Sequence, residues 1–143
     1  MPEPSGQMLK LLAEDPADLD VMSAALQDAV AKIGDIRFEA RAKRLTVTFN
    51  RYRWEAARGE RVRSALQLGS VLGVKARRLR RGAKDAVVEL LALGFEPGEA
   101  PGGDLTLTFA GGGDLRVTVE CVDAILLDVS QPWPAKRAPQ HET

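Results

Sequence analysis

Side chains able to perform nucleophilic or metal chemistry are few in this sequence. His141, near the C-terminus, is the single histidine, and Cys121 is the single cysteine. A Ser-His-Asp or Cys-His arrangement needs a histidine in the folded body, and a zinc site usually needs several cysteine and histidine ligands. We therefore expect no catalytic residues of these kinds, no metal site and no bound cofactor. An intrachain disulfide is excluded because it needs two cysteines.

Carboxylates are the remaining candidates for acid–base catalysis. Glu96 and Glu99 share one glycine- and proline-rich segment, and Glu120, Asp123 and Asp128 cluster near the end of the chain. No two of them have a spacing that fixes a catalytic geometry. The sequence therefore predicts a protein that is not an enzyme.

A run of three glycines, in FAGGGDL at 109–115, resembles a phosphate-binding loop. Such a loop leads from a strand into a helix and carries a lysine and a serine or threonine after the glycines. Here strand-like segments lie on both sides, and Asp114 follows the glycines, where its charge would repel phosphate. The pattern instead predicts a hairpin turn, in which glycine supplies the positive φ.

Charge is sorted into three blocks, although the total is neutral. Residues 1–35 contain 2 basic and 7 acidic residues, residues 36–84 contain 15 and 3, and residues 85–143 contain 3 and 10. A basic middle between acidic flanks bears on partners and on self-association.

Two segments of the basic block could bind a partner. In NRYRW at 50–54, arginines alternate with aromatic residues, which suit phosphates and stacked bases respectively. In KARRLRRGAK at 75–84, six of ten residues are cationic. The competing interpretation is that the aromatic residues anchor the edge of the core beneath the arginines, and that 75–84 is a solvated loop or edge strand. The candidate binding residues are Arg51, Arg53, Trp54, Lys75, Arg77, Arg78, Arg80, Arg81 and Lys84.

The charge pattern favours a non-catalytic interaction or scaffold protein that uses this basic surface. Its partner would be an acidic protein or the acidic surface of a second copy. The alternative is an accessory protein that binds RNA or single-stranded DNA through the same residues. The N-terminus lacks the features of a signal peptide, no apolar stretch is long enough to span a membrane, and one cysteine suits a reducing compartment, so we expect a cytoplasmic location.

The first secondary-structure element expected to help position these residues is an amphipathic helix. Asp15 is a natural N-cap and Pro16 suits the first helical position; apolar residues then recur at helical spacing from Leu19 to Ile33, and Gly34 is the expected C-cap. Beyond Gly34 the apolar period changes to two, which indicates strands. The prediction is an α+β fold, a largely antiparallel sheet of about seven or eight strands with this helix packed on it.

The sheet carries a weak internal repeat. LTVTF at 45–49 matches LTLTF at 105–109, and the apolar residues that follow each copy recur at the same offsets. The repeat indicates two related halves, each with the order strand, hairpin, strand, tight break, strand, although apolar residues at period two also match by convergence. A half-closed barrel is the alternative architecture. We expect a single domain over 1–130 and an irregular, Pro-rich tail over 131–143.

The whole chain also resembles a family of short, uncharacterised bacterial proteins, found mainly in alphaproteobacteria and classed as a domain of unknown function. The segments that carry the resemblance are LKLLAED at 9–15, DLDVMSAALQDAV at 18–30, NRYRWE at 50–55, RSALQ at 63–67, FEPGEAP at 95–101 and FAGGGDLRVTVECVDA at 109–124. The resemblance implies no activity and no catalytic residues. This chain departs from the family mainly in its Arg-rich segment 77–81.

Overall fold

The computed structural model describes residues 8–57 and 59–136. Within them lie one α-helix, one 3-10 turn over Ile33–Asp35, and eleven strands. The α+β class with one helix is confirmed, and the expected number of strands was too low because several strands are very short. The elements are β1 (Lys10–Ala13), α1 (Pro16–Ala25), β2 (Val30–Lys32), β3 (Ile36–Glu39), β4 (Arg44–Tyr52), β5 (Glu60–Leu68), β6 (Val71–Arg77), β7 (Val87–Pro97), β8 (Gly103–Phe109), β9 (Asp114–Val119), β10 (Ala124–Asp128) and β11 (Trp133–Pro134).

All the strand pairs are antiparallel, and the main path of the sheet runs β1-β10-β5-β4-β2-β7-β8-β9-β6. The short strands β3 and β11 lie off this path and pair with β4 and β5. Among the described strands, no pairing joins β1 to β6. The sheet is therefore open, and these two strands form its ends.

Two halves of the sheet have matching topology. β4, β5 and β6 repeat the order of β8, β9 and β10, and the third strand of each half pairs with the second strand of the other. The two tight breaks contact each other: the Gly69 N–H donates to the Asp123 carbonyl at 2.8 Å, and the Glu120 N–H donates to the Ser70 carbonyl at 2.9 Å. This reciprocal pairing is the arrangement that two related halves would produce.

The core is built by the inward faces of these strands. Leu45, Val47 and Phe49 of β4 are at most 1% exposed, which matches the predicted period of two. Helix α1 adds Leu19 and Met22 and packs against β7 and β1. Burying each such side chain contributes about 1.5–3 kcal/mol, so the alternation decides which face of each strand turns inward.

The helix begins as predicted and ends early. The Asp15 carboxylate accepts the Asp18 N–H at 2.8 Å, which confirms the N-cap, but α1 stops at Ala25 rather than near Gly34. Asp28 has a φ of 61°, a conformation that interrupts a helix, and its N–H donates to the Leu90 carbonyl at 2.9 Å. The chain that follows becomes β2, because pairing with β7 replaces the helical hydrogen bonds.

The C-terminal segment is partly ordered into the sheet. Trp133 and Pro134 pair with Arg61 and Glu60 of β5, so the expected irregular tail includes a short strand. Residues 137–143, including His141, lie outside the described residues. In the described part of the chain, the one helix is neither long nor apolar enough to cross a membrane.

Candidate functional site

Two of the predicted binding residues lie inside the protein. The inward alternation of β4 continues past Phe49, so that Arg51 is 0% exposed and Arg53 is 1% exposed. Neither guanidinium can contact a partner at the surface. The structure therefore corrects the assignment of Arg51 and Arg53 to an exposed recognition surface, and it places them in a buried polar cluster instead.

Arg51 is held by a carboxylate from the far end of the chain. Its Nε and Nη2 donate to Asp128 Oδ1 at 3.2 and 3.0 Å, and Nη2 also lies 3.1 Å from Oδ2. Ser64 Oγ donates to Asp128 Oδ1 at 2.6 Å and accepts from Arg51 Nε at 2.9 Å. The Leu9 N–H donates to Asp128 Oδ2 at 2.8 Å. Asp128 therefore joins β4, β5 and the start of the chain at one point.

A second carboxylate completes the cluster from the β4–β5 connection. Arg51 Nη1 and Nη2 donate to Glu55 Oε1 and Oε2 at 2.9 and 2.7 Å, which is the bidentate geometry that suits a guanidinium. Arg53 Nη1 donates to Glu60 Oε1 at 2.7 Å, and its Nε lies 3.7 Å from Glu55 Oε2. The two arginines thus help to fix the connection between β4 and β5.

The cluster stabilises its own charges. Burial opposes ionisation of Arg51, but the hydrogen bond to Glu55 and the charge of Asp128 outweigh it and raise the pKa of Arg51 above its ordinary value. Burial likewise acts to raise the pKa of Glu55, yet the hydrogen bond from Arg51 prevails and the pKa of Glu55 is lowered. The pair is therefore ionised at neutral pH.

Sequence reasoning missed the partners in this cluster, although a signal for them was present. Asp128 continues the inward alternation of Ala124 and Leu126, and Ser64 continues that of Leu66 and Leu68. A carboxylate at an inward position requires a cation or several hydrogen-bond donors. Extending the period of two past Leu126 would have identified Asp128, and reading it without a break from Leu66 to Val62 would have identified Ser64.

Two of the clustered carboxylates, Asp128 and Glu120, are engaged in different contacts. Asp128 is engaged in the buried cluster, and Glu120 forms a 2.8 Å ion pair with Lys43 instead. Ser64, beside Asp128, is 0% exposed and has no access to a substrate. Within residues 8–57 and 59–136, no group of three or more histidine, cysteine, aspartate or glutamate side chains is arranged to hold a metal ion.

The second predicted binding segment, residues 75–84, is exposed; it is called the basic segment below. All six of its cationic residues are exposed, and one of them, Arg77, pairs with Asp114 at 2.6 Å. In the described part of the chain, no carboxylate pairs with the remaining five, which are Lys75, Arg78, Arg80, Arg81 and Lys84. These charges are available to a partner.

Trp54 remains at the surface but apart from the basic segment. Its side chain is 39% exposed and packs edge-on against Tyr52, with 4.7 Å between ring centroids. Leu45, at the other end of β4, lies beside the basic segment. Arg51 is six positions after Leu45 along β4, a span of about 20 Å. The two predicted segments therefore do not form one patch.

An apolar cavity of about 260 Å³ lies beneath the basic segment. Ala76, Leu79 and Arg81 of that segment line it, together with Ile33 of the 3-10 turn and residues of β3, β4, β6 and β9. The far end of the segment is held to the 3-10 turn, because the N–H groups of Ile33 and Gly34 donate to the carbonyls of Ala86 and Lys84, each at 2.9 Å. Sequence reasoning missed this cavity because its lining residues come from strands that are far apart in the sequence.

These features define an antiparallel α+β domain that presents cations beside an apolar cavity. The chain belongs to the DUF2948 family, a family of proteins of unknown function whose model matches residues 9–141. The resemblance to an uncharacterised family is thereby confirmed over nearly the full length. No curated protein and no solved structure matches the chain.

Proposed function

We propose that this protein is a non-catalytic, cytoplasmic interaction domain that binds an acidic protein partner through the basic segment. The observation that carries the proposal is the set of five exposed cations without a carboxylate partner among the described residues. Cations concentrated on one segment create a positive potential that attracts and orients an acidic surface. Surface ion pairs contribute only about 0–1 kcal/mol each, so charge would act mainly by orienting the partner.

Three observations support a protein partner over a nucleic acid. The basic segment contains no aromatic residue on which a base could stack. The exposed Trp54 lies two residues beyond the end of β4 that is opposite Leu45, and Leu45 is the residue of β4 that lies beside the basic segment. The apolar cavity under the segment, by contrast, suits the side chains that proteins bury at interfaces. The alternative, binding of RNA or single-stranded DNA, is favoured only by the number of cations.

The test compares two labelled anionic probes by fluorescence anisotropy, a polyglutamate peptide and a mixed-sequence RNA pool, each at low and near-physiological salt. The double variant Arg80→Glu/Arg81→Glu reverses two charges of the basic segment. The matched control, Lys10→Glu/Lys136→Glu, makes the same change in net charge at exposed positions elsewhere. Circular dichroism checks that both variants are folded.

We expect the peptide to bind near physiological salt, with a loss of about tenfold or more in the basic-segment variant and little change in the control. Equal losses in the two variants would overturn the proposal, since net charge alone would then explain binding. RNA binding that survives near-physiological salt would replace it with the alternative. In that case, the logarithm of the binding constant falls linearly with the logarithm of the salt concentration. The slope is about 0.7 per phosphate neutralised for a single strand, so it counts the phosphates contacted.

A further inference from the structure

The cavity beneath the basic segment indicates which kind of side chain the partner contributes besides its acidic residues. We infer that it receives one bulky apolar side chain of the partner, leucine or phenylalanine, while flanking aspartate and glutamate residues of the partner pair with the basic segment. This inference rests on the proposed function, because it describes how the same surface would recognise its partner. It commits to a short acidic peptide segment with a single apolar anchor.

The lining of the cavity supports an apolar occupant. Its lining is almost entirely apolar and includes Ile36 and Phe38 of β3, Val74 and Ala76 of β6, and Leu79 of the basic segment. Phe38 is 41% exposed, so apolar surface is open to solvent there. Removing that surface from water favours binding by roughly 25 cal/mol per Å² buried.

The size of the cavity and the charge around it restrict the possible occupants further. A cavity of about 260 Å³ is smaller than the roughly 300–1,000 Å³ of pockets that enclose whole small-molecule ligands. Arg81 is the one charged residue in the lining, and Arg80 and Lys84 are exposed in the same segment. An apolar group whose immediate surroundings are anionic therefore complements both the cavity and its rim.

The unpaired edges of two strands favour an extended peptide as the carrier of that side chain. β3 pairs with β4 alone and β6 pairs with β9 alone, so each has one edge without a strand partner among the described residues. Such edges accept an added strand through main-chain hydrogen bonds. A peptide entering between them would place every second side chain toward the cavity.

The experiment uses two labelled nonapeptide pools that have aspartate or glutamate at random flanking positions. One pool has phenylalanine at the centre and the other has alanine. They are measured against the wild-type protein, against Ala76→Leu, which fills the cavity without a change in charge, and against Ala92→Leu. Ala92 is an exposed alanine on β7 that is absent from the cavity lining, so Ala92→Leu is the matched control.

We expect the phenylalanine pool to bind the wild-type protein about tenfold or more tightly than the alanine pool, because a fully buried phenylalanine contributes about 1.5–3 kcal/mol. Ala76→Leu should remove that advantage and Ala92→Leu should retain it. Equal binding of the two pools would overturn the anchor and leave the charge-based function standing. Binding of neither pool would overturn both. The comparison between pools on the wild-type protein stands even if Ala76→Leu does not fold.

Discussion

Arg51 and Asp128 are 77 residues apart in the sequence, yet three donor–acceptor contacts of 3.0–3.2 Å join the guanidinium to the carboxylate. Both side chains are almost fully withdrawn from water, at 0% and 1% exposed. The contact fastens β4 to β10, and the Leu9 N–H on the same carboxylate adds the start of the chain. It therefore links segments from the beginning, middle and end of the domain.

Removing the cation of this pair should cost much of the stability of the domain. In Arg51→Met, the buried carboxylate of Asp128 would keep Ser64 Oγ and the Leu9 N–H but lose its countercharge. Breaking a buried ion pair from one side typically costs about 3–5 kcal/mol. We expect a decrease of this size in the free energy of unfolding, measured by urea denaturation.

A double variant separates the loss of the pair from the loss of packing. Arg51→Met/Asp128→Leu removes both charges, so it should be more stable than Arg51→Met alone, as replaced buried pairs often are. Asp85→Ala, at a side chain that is 97% exposed, is the matched control and should change stability little. A double variant less stable than the single one would show that Asp128 does not depend on Arg51.

Acidification should weaken the domain through Glu55. The pKa of Glu55 in the folded protein lies below its ordinary value of 4.5, because its hydrogen bond to Arg51 outweighs burial. The unfolded chain therefore takes up the proton first, so this stabilisation is present above about pH 4.5 and is lost as pH falls through the folded pKa. The side chain is 38% exposed, which limits the contribution to below about 1 kcal/mol.

Glu55→Gln tests this directly. The variant should be less stable than the wild type at neutral pH, and the difference should shrink as the pH falls through the folded pKa of Glu55, which lies below its ordinary value of 4.5. Urea midpoints across this range measure the difference. Glu99→Gln, at an exposed carboxylate of the β7–β8 loop, is the control and should show no such trend. A difference that stays constant with pH would mean that charge is not the basis of the Glu55 contact.

The sequence was most informative where local rules decide the structure. The cap at Asp15 and the turn at Gly111 and Gly112, whose φ values are 90° and 98°, depend on neighbours only a few residues away. The long alternating strands β4, β8 and β9 followed from the period of two for the same reason. The end of α1 did not follow from local rules, because it is set by contacts with Leu90, more than sixty residues further along the chain. The Asp28 N–H donates to the Leu90 carbonyl, and the Leu90 N–H donates to the Ala29 carbonyl.

The same distinction between local and long-range effects applies to the candidate site. The basic segment was identified correctly as an exposed run of cations, since its composition alone decides that it cannot be buried. Arg51 and Arg53 have the same composition signal, but their partners Asp128 and Glu60 allow them to be buried. The two groups of cations differ in whether side chains of other strands pair with them, and this cannot be read from the number of charges in a segment.

The position of the basic segment depends on a close contact with the β8–β9 hairpin turn. A Cβ atom at Gly113 would lie 2.6 Å from Leu79 Cδ2 and 3.1 Å from the Arg78 carbonyl oxygen, both too close for ordinary packing. Gly113→Ala should therefore push the basic segment away from the turn and shift Leu79 within the cavity. Overpacking of this kind costs about 1–3 kcal/mol.

Urea denaturation and the amide chemical shifts of residues 78–81 measure the two effects of Gly113→Ala. We expect a stability loss in that range together with shift changes concentrated in those residues. Gly94→Ala is the matched control, because a Cβ at Gly94 meets nothing within 4 Å and its φ is not positive; it should be nearly neutral. If the amides of 78–81 stay unchanged in Gly113→Ala, the turn does not position the basic segment, and the cavity must be held open from β3 and β6 instead.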